Sequence, residues 1–158
     1  MSRSPVTFMG PPTVTKTLCG IETQIVIHNY ADRILVIVTQ LGKVGHLLQV
    51  SVSPAAPLER SSDPDSNASV QAPPSVTVMP LFGTAPSEHL STLHSIYATQ
   101  IAMHVWTSPV HWAVNDRRKV VVGLAFKKPP GEEEKAFEHE QATFKGVMQM
   151  IDEFYQQN

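Results

Sequence analysis

The chain contains seven histidines, a type of side chain that can bind a metal or move a proton. Helical zinc motifs place two histidines at i and i+4, so that both ligands share one helical face. His89 and His94 are five residues apart, and Glu138-His139-Glu140 contains a single histidine. The spacing therefore predicts no metal site, and the histidines are expected at the surface or half-buried.

The single cysteine, Cys19, stands beside Gly20 at the end of a predicted strand. A lone cysteine in this position is typical of a small buried hydrophobic residue rather than of a nucleophile. A chain with one cysteine forms no intramolecular disulfide and no metal centre with several cysteine ligands, and this cysteine content is typical of proteins in a reducing compartment. The alternative is a small enzyme that gathers Cys19 with His28, His46 or His111 in one pocket.

The spacing Gly42-x-x-Gly45 invites comparison with phosphate-binding loops. It lacks the third glycine of the dinucleotide fingerprint and the Gly-Lys-Ser/Thr of a phosphate loop, so it predicts a hairpin turn. The sequence also contains no Gly-x-Ser-x-Gly motif. We therefore expect no catalytic residue, no cofactor and no enzymatic activity.

One basic cluster, Arg117-Arg118-Lys119, precedes the last predicted strand. Three charges are too few for tight nucleic-acid binding, so a solvated turn or a contact with an acidic protein is expected. Trp106 and Trp112 lie close by, with His111 between them. These aromatic residues either close the core or anchor a protein interface.

The composition narrows the class of protein further. The chain is 42% hydrophobic but 16% charged, with a net charge of −2, whereas soluble domains carry about 25% charged residues. This balance excludes bulk electrostatic binding to nucleic acid or to a membrane surface. No apolar run approaches the ~18 residues of a membrane span, and we expect a soluble intracellular protein.

Two segments contain most of the thirteen prolines. Residues 1–12 show no periodicity, and residues 53–74 are rich in serine and proline. Such segments bury too little apolar surface to offset the entropy of ordering them. We predict a disordered tail over 1–12 and a single domain over 13–158, in which 53–74 is a disordered loop insertion.

The remaining sequence predicts strands and helices from its hydrophobic periodicity. Six strands are predicted, over 13–18, 22–30, 33–40, 46–52, 76–82 and 119–126. The third and sixth contain continuous apolar runs rather than alternating ones, which is typical of strands covered on both faces. Hairpins and long helical connections favour a mostly antiparallel sheet.

A first helix is predicted over 87–106, with Glu88 as its one charged residue. One apolar stripe at helical spacing comprises Leu90, Leu93, Tyr97, Ile101 and Val105. Ile96 and Met103 are predicted on the opposite side. The second helix begins with the acids after Gly131 and is amphipathic, with Phe137, Phe144, Val147, Met148, Ile151 and Tyr155 on its apolar side.

These elements predict an α+β fold in which two helices cover one face of a six-stranded sheet. The other face would then be apolar and uncovered, and we expect it to pack on a second subunit. In the alternative arrangement the helices are split between the two faces and the monomer closes by itself.

Residues 18–26 and 33–45 resemble the N-terminal half of the proteasome assembly chaperone 3 family. The similarity is a Cys-Gly-x-x-Thr-Gln hairpin, followed by an apolar strand that ends in Val-Thr-Gln-x-Gly-Lys-x-Gly. The resemblance implies a non-enzymatic cytoplasmic chaperone, also present in the nucleus, that acts as a homodimer or with a related small subunit of the assembly chaperone 4 type. It implies reversible binding to a proteasome α subunit, chiefly α5, during assembly of the α-ring of the 20S core particle.

The candidate dimer or partner interface consists of apolar residues from the sheet and from the first helix. They are Leu35, Ile37, Ile96, Met103, Val121 and Leu124. The alternative function is a dimeric αβ scaffold or regulatory module with a non-proteasomal partner.

Overall fold

The computed structural model describes residues 12–58, 74–128 and 133–157. These residues form strands and helices in the order β1 (Thr13–Leu18), β2 (Ile21–Asn29), β3 (Arg33–Thr39), β4 (His46–Ser51), β5 (Thr77–Phe82), α1 (Glu88–Thr107), α2 (Pro109–Ala113), β6 (Lys119–Ala125) and α3 (Glu133–Gln157). The predicted strands and the two long helices are confirmed, and the short helix α2 was not predicted.

The described strands form a six-stranded sheet in the order β1-β2-β3-β6-β4-β5. Every neighbouring pair is antiparallel except β3 and β6, which run parallel. The chain returns through α1 and α2 before β6 enters the sheet between β3 and β4, and this crossover produces the parallel pair. The predicted α+β class with a mostly antiparallel sheet is confirmed.

Left-handed backbone conformations shape two of the turns. Cys19 and Gly20 have φ of 50° and 77° and connect β1 to β2 as a two-residue hairpin loop. Gly45, with φ of 69°, precedes β4, and a β-carbon there would lie 2.2 Å from the carbonyl oxygen of Leu124. Only glycine allows this close packing of the β3–β4 loop on β6.

Both long helices pack on the same face of the sheet. The strand residues on this face are buried against them, including Ile34, Val36 and Val38 of β3. Helix α3 passes close to β1, since a β-carbon at Gly146 would lie 2.6 Å from the side chain of Leu18. The two long helices therefore form one layer. The predicted alternative, with helices on both faces of the sheet, is not found in the described residues.

Helix α1 begins at a side-chain cap and ends before a proline. The Ser87 hydroxyl accepts a hydrogen bond from the Leu90 amide at 3.2 Å, and Ser108 is extended before Pro109. Its C-terminal half is buried on nearly all sides, from Ile101 to Trp106. The low charge of this half follows from burial inside the monomer rather than from a missing subunit.

The two segments predicted to be disordered lie mainly outside the described residues. Residues 1–11 and 59–73 are not described, and neither are residues 131–132 at the predicted start of the second helix. Within the described part of 53–58, Leu58 is 6% exposed and belongs to the core. The chain is therefore still packed on the fold where the predicted loop begins.

Candidate protein-interaction surface

The face of the sheet opposite the helices, called the open face here, carries two rows of side chains set by the strand register, of which the first has no polar side chain and the second is mixed. One row runs across five strands through Val26, Ile37, Gly123, Leu47 and Phe82. The adjacent row runs through His28, Leu35, Val121, Gln49 and Met79. Within the described residues no helix packs on this face.

Three of the six predicted interface residues meet on the open face. Leu35 pairs with Val121, and Ile37 lies one row further along the strand, opposite Gly123. Leu35 and Ile37 are half-buried, in contrast to the fully buried side chains on the helix face of β3. These two side chains are therefore accessible to a partner.

Val121 is less accessible than its position suggests, since it is 5% exposed. A guanidinium nitrogen of Arg33 donates a hydrogen bond to the Gln49 side-chain oxygen at 3.4 Å. Because β3 and β4 lie on either side of β6, this hydrogen bond crosses over β6 beside Val121. Val121 therefore lies on the open face, partly covered by the hydrogen bond between Arg33 and Gln49.

The structure places the other three predicted interface residues elsewhere. Leu124 is 1% exposed and Met103 is 0% exposed, and both belong to the core between the sheet and the helices. Their prediction as interface residues is therefore corrected, because no partner of the folded chain can reach them. Ile96 is 47% exposed but lies on α1, in the helix layer and away from the open face.

Sequence reasoning missed several apolar residues of this surface, namely Val26, Leu47, Met79 and Phe82. Phe82 is 73% exposed and Met79 is 52% exposed on the edge strand β5. One signal was available, because the edge strand Thr77–Phe82 contains no charged residue, whereas the opposite edge β1 contains Lys16. The rows themselves could be found only from the register.

A pair of buried histidines links the first residue of β4 to α1. The Nδ1 atoms of His46 and His94 are 2.9 Å apart, so one ring donates a hydrogen bond to the other. Burial lowers the pKa of His94 to about 4, with a further contribution from His46, and burial also lowers the pKa of His46. Both rings are therefore neutral near pH 7 and stabilise the packing of the helix layer.

Both arginines of the basic cluster form hydrogen bonds or ion pairs within the chain. Arg118 binds the carboxylate of Asp116 at 2.7 Å and holds its pKa at about 2. Asp116 also accepts a hydrogen bond from Nδ1 of the buried His111 at 3.1 Å, and Arg117 donates to the Ala56 carbonyl. The two arginines thus fix the connection between α2 and β6, and of the predicted basic cluster Lys119 alone is exposed.

Trp106 and Trp112 have different environments. The indole nitrogen of the buried Trp106 donates to the Arg118 carbonyl at 2.8 Å, which supports the prediction that it closes the core. Trp112 on α2 is 37% exposed, and Val114 just beyond it is 74% exposed.

The residues of the alternative Cys–His enzyme are not gathered in one pocket. Cys19 is exposed in the β1–β2 hairpin at one edge of the sheet, not buried as predicted, while His46 lies on β4, next to the opposite edge strand, and is buried against His94. The rings of His28 and Tyr30 lie 4.4 Å apart near the end of β2, and His111 is a buried residue of α2. Among the described residues no group of three histidine, cysteine or carboxylate side chains could hold a metal ion.

In the part of the chain that the structure describes, no helix is long and apolar enough to cross a membrane.

The chain was compared with solved structures, with curated proteins and with protein-family models. A crystal structure of a novel chaperone complex for yeast 20S proteasome assembly is similar to the chain at 12% identity and a TM-score of 0.46, covering 86% of this chain and 96% of that chain. No curated protein matches the chain in sequence. The family model of proteasome assembly chaperone 3 matches residues 36–154, which is most of the chain. The chain therefore belongs to the proteasome assembly chaperone 3 family.

Proposed function

We propose that this protein is a proteasome assembly chaperone subunit that binds a proteasome α subunit, α5 first among them, and promotes assembly of the α-ring of the 20S core particle. The observation that carries the proposal is the family model, which spans residues 36–154. The chaperone acts by reversible protein binding in the cytoplasm, with the nucleus as a second location. Reversibility requires a contact of modest area with the α subunit.

The proposed partner surface for a second chaperone subunit is the open face. A contiguous apolar face larger than a few hundred Å² is uncommon on a monomeric protein and marks an interaction site. Val26, Leu35 and Ile37 are half-buried on strands at the centre of the sheet, with the helix layer on the reverse side. Two such faces packed together would form a β-sandwich with the helices outside. The second subunit is a related chaperone of the assembly chaperone 4 type or a second copy of this chain.

Affinity purification of the tagged full-length chain tests this function. We expect α5 and a small partner chaperone to be recovered with the wild-type protein. Replacement of Ile37 by Asp places a charge on the open face, and the small partner should then be lost. The matched control is Ile96→Asp, because Ile96 is an exposed isoleucine on the helix layer.

The two alternatives predict different results in the same experiment. Recovery of the partner chaperone without any proteasome α subunit would favour a scaffold with a non-proteasomal partner. Equal recovery of the small partner by the Ile37 and Ile96 variants would exclude the open face as the dimer surface.

A further inference from the structure

Two buried polar side chains meet where the short helix α2 packs on the last turn of α3. His111 of α2 is 4% exposed, and Tyr155 of α3 is 7% exposed. The centroids of their rings lie 5.3 Å apart, and the ring planes make an angle of 75°. The two rings therefore touch edge to face inside the protein, at a place that no partner of the folded chain reaches.

One ring nitrogen of His111 has a hydrogen-bond partner, and its chemistry fixes the position of the ring proton. Nδ1 of His111 lies 3.1 Å from a carboxylate oxygen of Asp116. The ion pair with Arg118 holds the pKa of Asp116 at about 2, so this carboxylate is charged near pH 7. A charged carboxylate only accepts hydrogen bonds, and Nδ1 is therefore the donor. In the neutral ring, Nε2 is then left as a hydrogen-bond acceptor.

The acceptor at Nε2 and the hydroxyl of Tyr155 share an unusual property. Both atoms are buried, and neither has a hydrogen-bond partner among the described residues. Burial raises the pKa of Tyr155, so its hydroxyl keeps its proton near neutral pH and is available as a donor. Buried polar atoms without a partner are rare in native proteins because their desolvation is then uncompensated.

The two atoms are complementary to a small ligand that both donates and accepts hydrogen bonds. His111 offers an acceptor and Tyr155 offers a donor, but the two atoms do not bond to each other. An apolar ligand would leave both atoms unpaired, and an ion would carry a net charge into a buried site at a high cost in desolvation. A water molecule satisfies both atoms, as buried waters commonly do for otherwise unpaired polar groups.

We propose that His111 and Tyr155 hold one internal water molecule, which accepts a hydrogen bond from the Tyr155 hydroxyl and donates one to Nε2 of His111. The water completes a chain of hydrogen bonds that continues from His111 through Asp116 to Arg118. A guanidinium nitrogen of Arg118 donates to the carbonyl of Tyr30, directly after β2. The internal water thus links α3 and α2 to the end of the sheet at which β6 begins.

A high-resolution crystal structure of the full-length wild-type chain tests the site without any substitution. We expect an ordered water at about 2.7 to 3.2 Å from both the Tyr155 hydroxyl oxygen and Nε2 of His111. A direct hydrogen bond between these two atoms would overturn the proposal. Contact of the two rings with no water between their polar atoms would overturn it as well.

Magnetic relaxation dispersion of the water nuclei tests the same site in solution, because it counts the water molecules that stay inside a protein for long times. Tyr155→Phe removes the donor and should lower this number by one relative to the wild type. The matched control is Tyr30→Phe, since Tyr30 is 49% exposed and its hydroxyl should hold no internal water. An unchanged or larger number in folded Tyr155→Phe, or an equal loss in the control, would contradict the assignment.

The proposed chaperone function is tested separately from this site. Neither measurement contains a proteasome subunit or a second chaperone, so a negative result at His111 and Tyr155 would leave the proposed function intact.

Discussion

The buried histidine pair predicts that the protein loses stability in mild acid. His94 is 6% exposed and its Nδ1 lies 2.9 Å from that of His46. Protonation of either ring would place a charge beside Phe126 and the second histidine in the core between β4 and α1. The pKa of His94 in the folded protein is therefore lowered from 6.5 to about 4.

The sign and size of the effect follow from the pKa. Because the pKa of His94 is lower in the folded state, the unfolded chain takes up the proton first as the pH falls below 6.5. The resulting loss of stability amounts to about 2 kcal/mol at pH 5 and about 3 kcal/mol at pH 4. Stability is fully retained above pH 6.5, and His46 adds a loss in the same direction.

Urea unfolding at a series of pH values from 7 to 4 measures this loss. We expect a flatter pH dependence for His94→Asn, because asparagine can place a hydrogen-bonding atom near the position of Nδ1 but does not titrate. His28→Asn is the control for the exchange of histidine for asparagine, since His28 lies on the open face, away from the His46–His94 pair. Parallel pH profiles for the wild type and the His94 variant would refute the reasoning.

Two further predictions concern the loops that shape the sheet. Gly45→Ala should lower the free energy of unfolding by about 3 kcal/mol in urea, because the new β-carbon of this left-handed residue would clash with the Leu124 carbonyl. Gly42→Ala should lower it by only about 1 kcal/mol, because a β-carbon at this left-handed residue meets open space. Equal losses would contradict the close packing of this loop on β6. Asp116 should stabilise the folded protein by about 2 kcal/mol, because Arg118 lowers the pKa of its carboxylate in the folded state. This stabilisation is present above pH 3.8 and is lost as the pH falls to about 2. In Asp116→Asn the free energy of unfolding should not show this fall between pH 3.8 and 2. If the same fall persists in the variant, Asp116 is not its source.

The sequence predicted the strands and the two long helices well because their periodicity is local. The stripe Leu90 to Val105 and the apolar runs of β3 and β6 reflect burial on the helix side, and Ser87 and Pro109 mark the ends of α1. The expected class, with both helices on one face, followed from these patterns.

The residues of the candidate surface were harder to predict because they depend on long-range packing. A continuous apolar strand does not indicate which of its faces is covered, so Leu124 was predicted together with Leu35 although they lie on opposite faces. Met103 was predicted outside because the burial of the second half of α1 depends on α2 and α3. The position of β6 between β3 and β4 sets the rows of the open face, and no local pattern encodes it.

The most direct test of the account is the binding of the purified full-length chain to individual purified proteasome α subunits. We predict a complex with α5 in size-exclusion chromatography and no stable complex with the mature 20S particle, because an assembly chaperone must leave before completion. Absence of binding to every α subunit, with and without the small partner chaperone present, would contradict the proposed function.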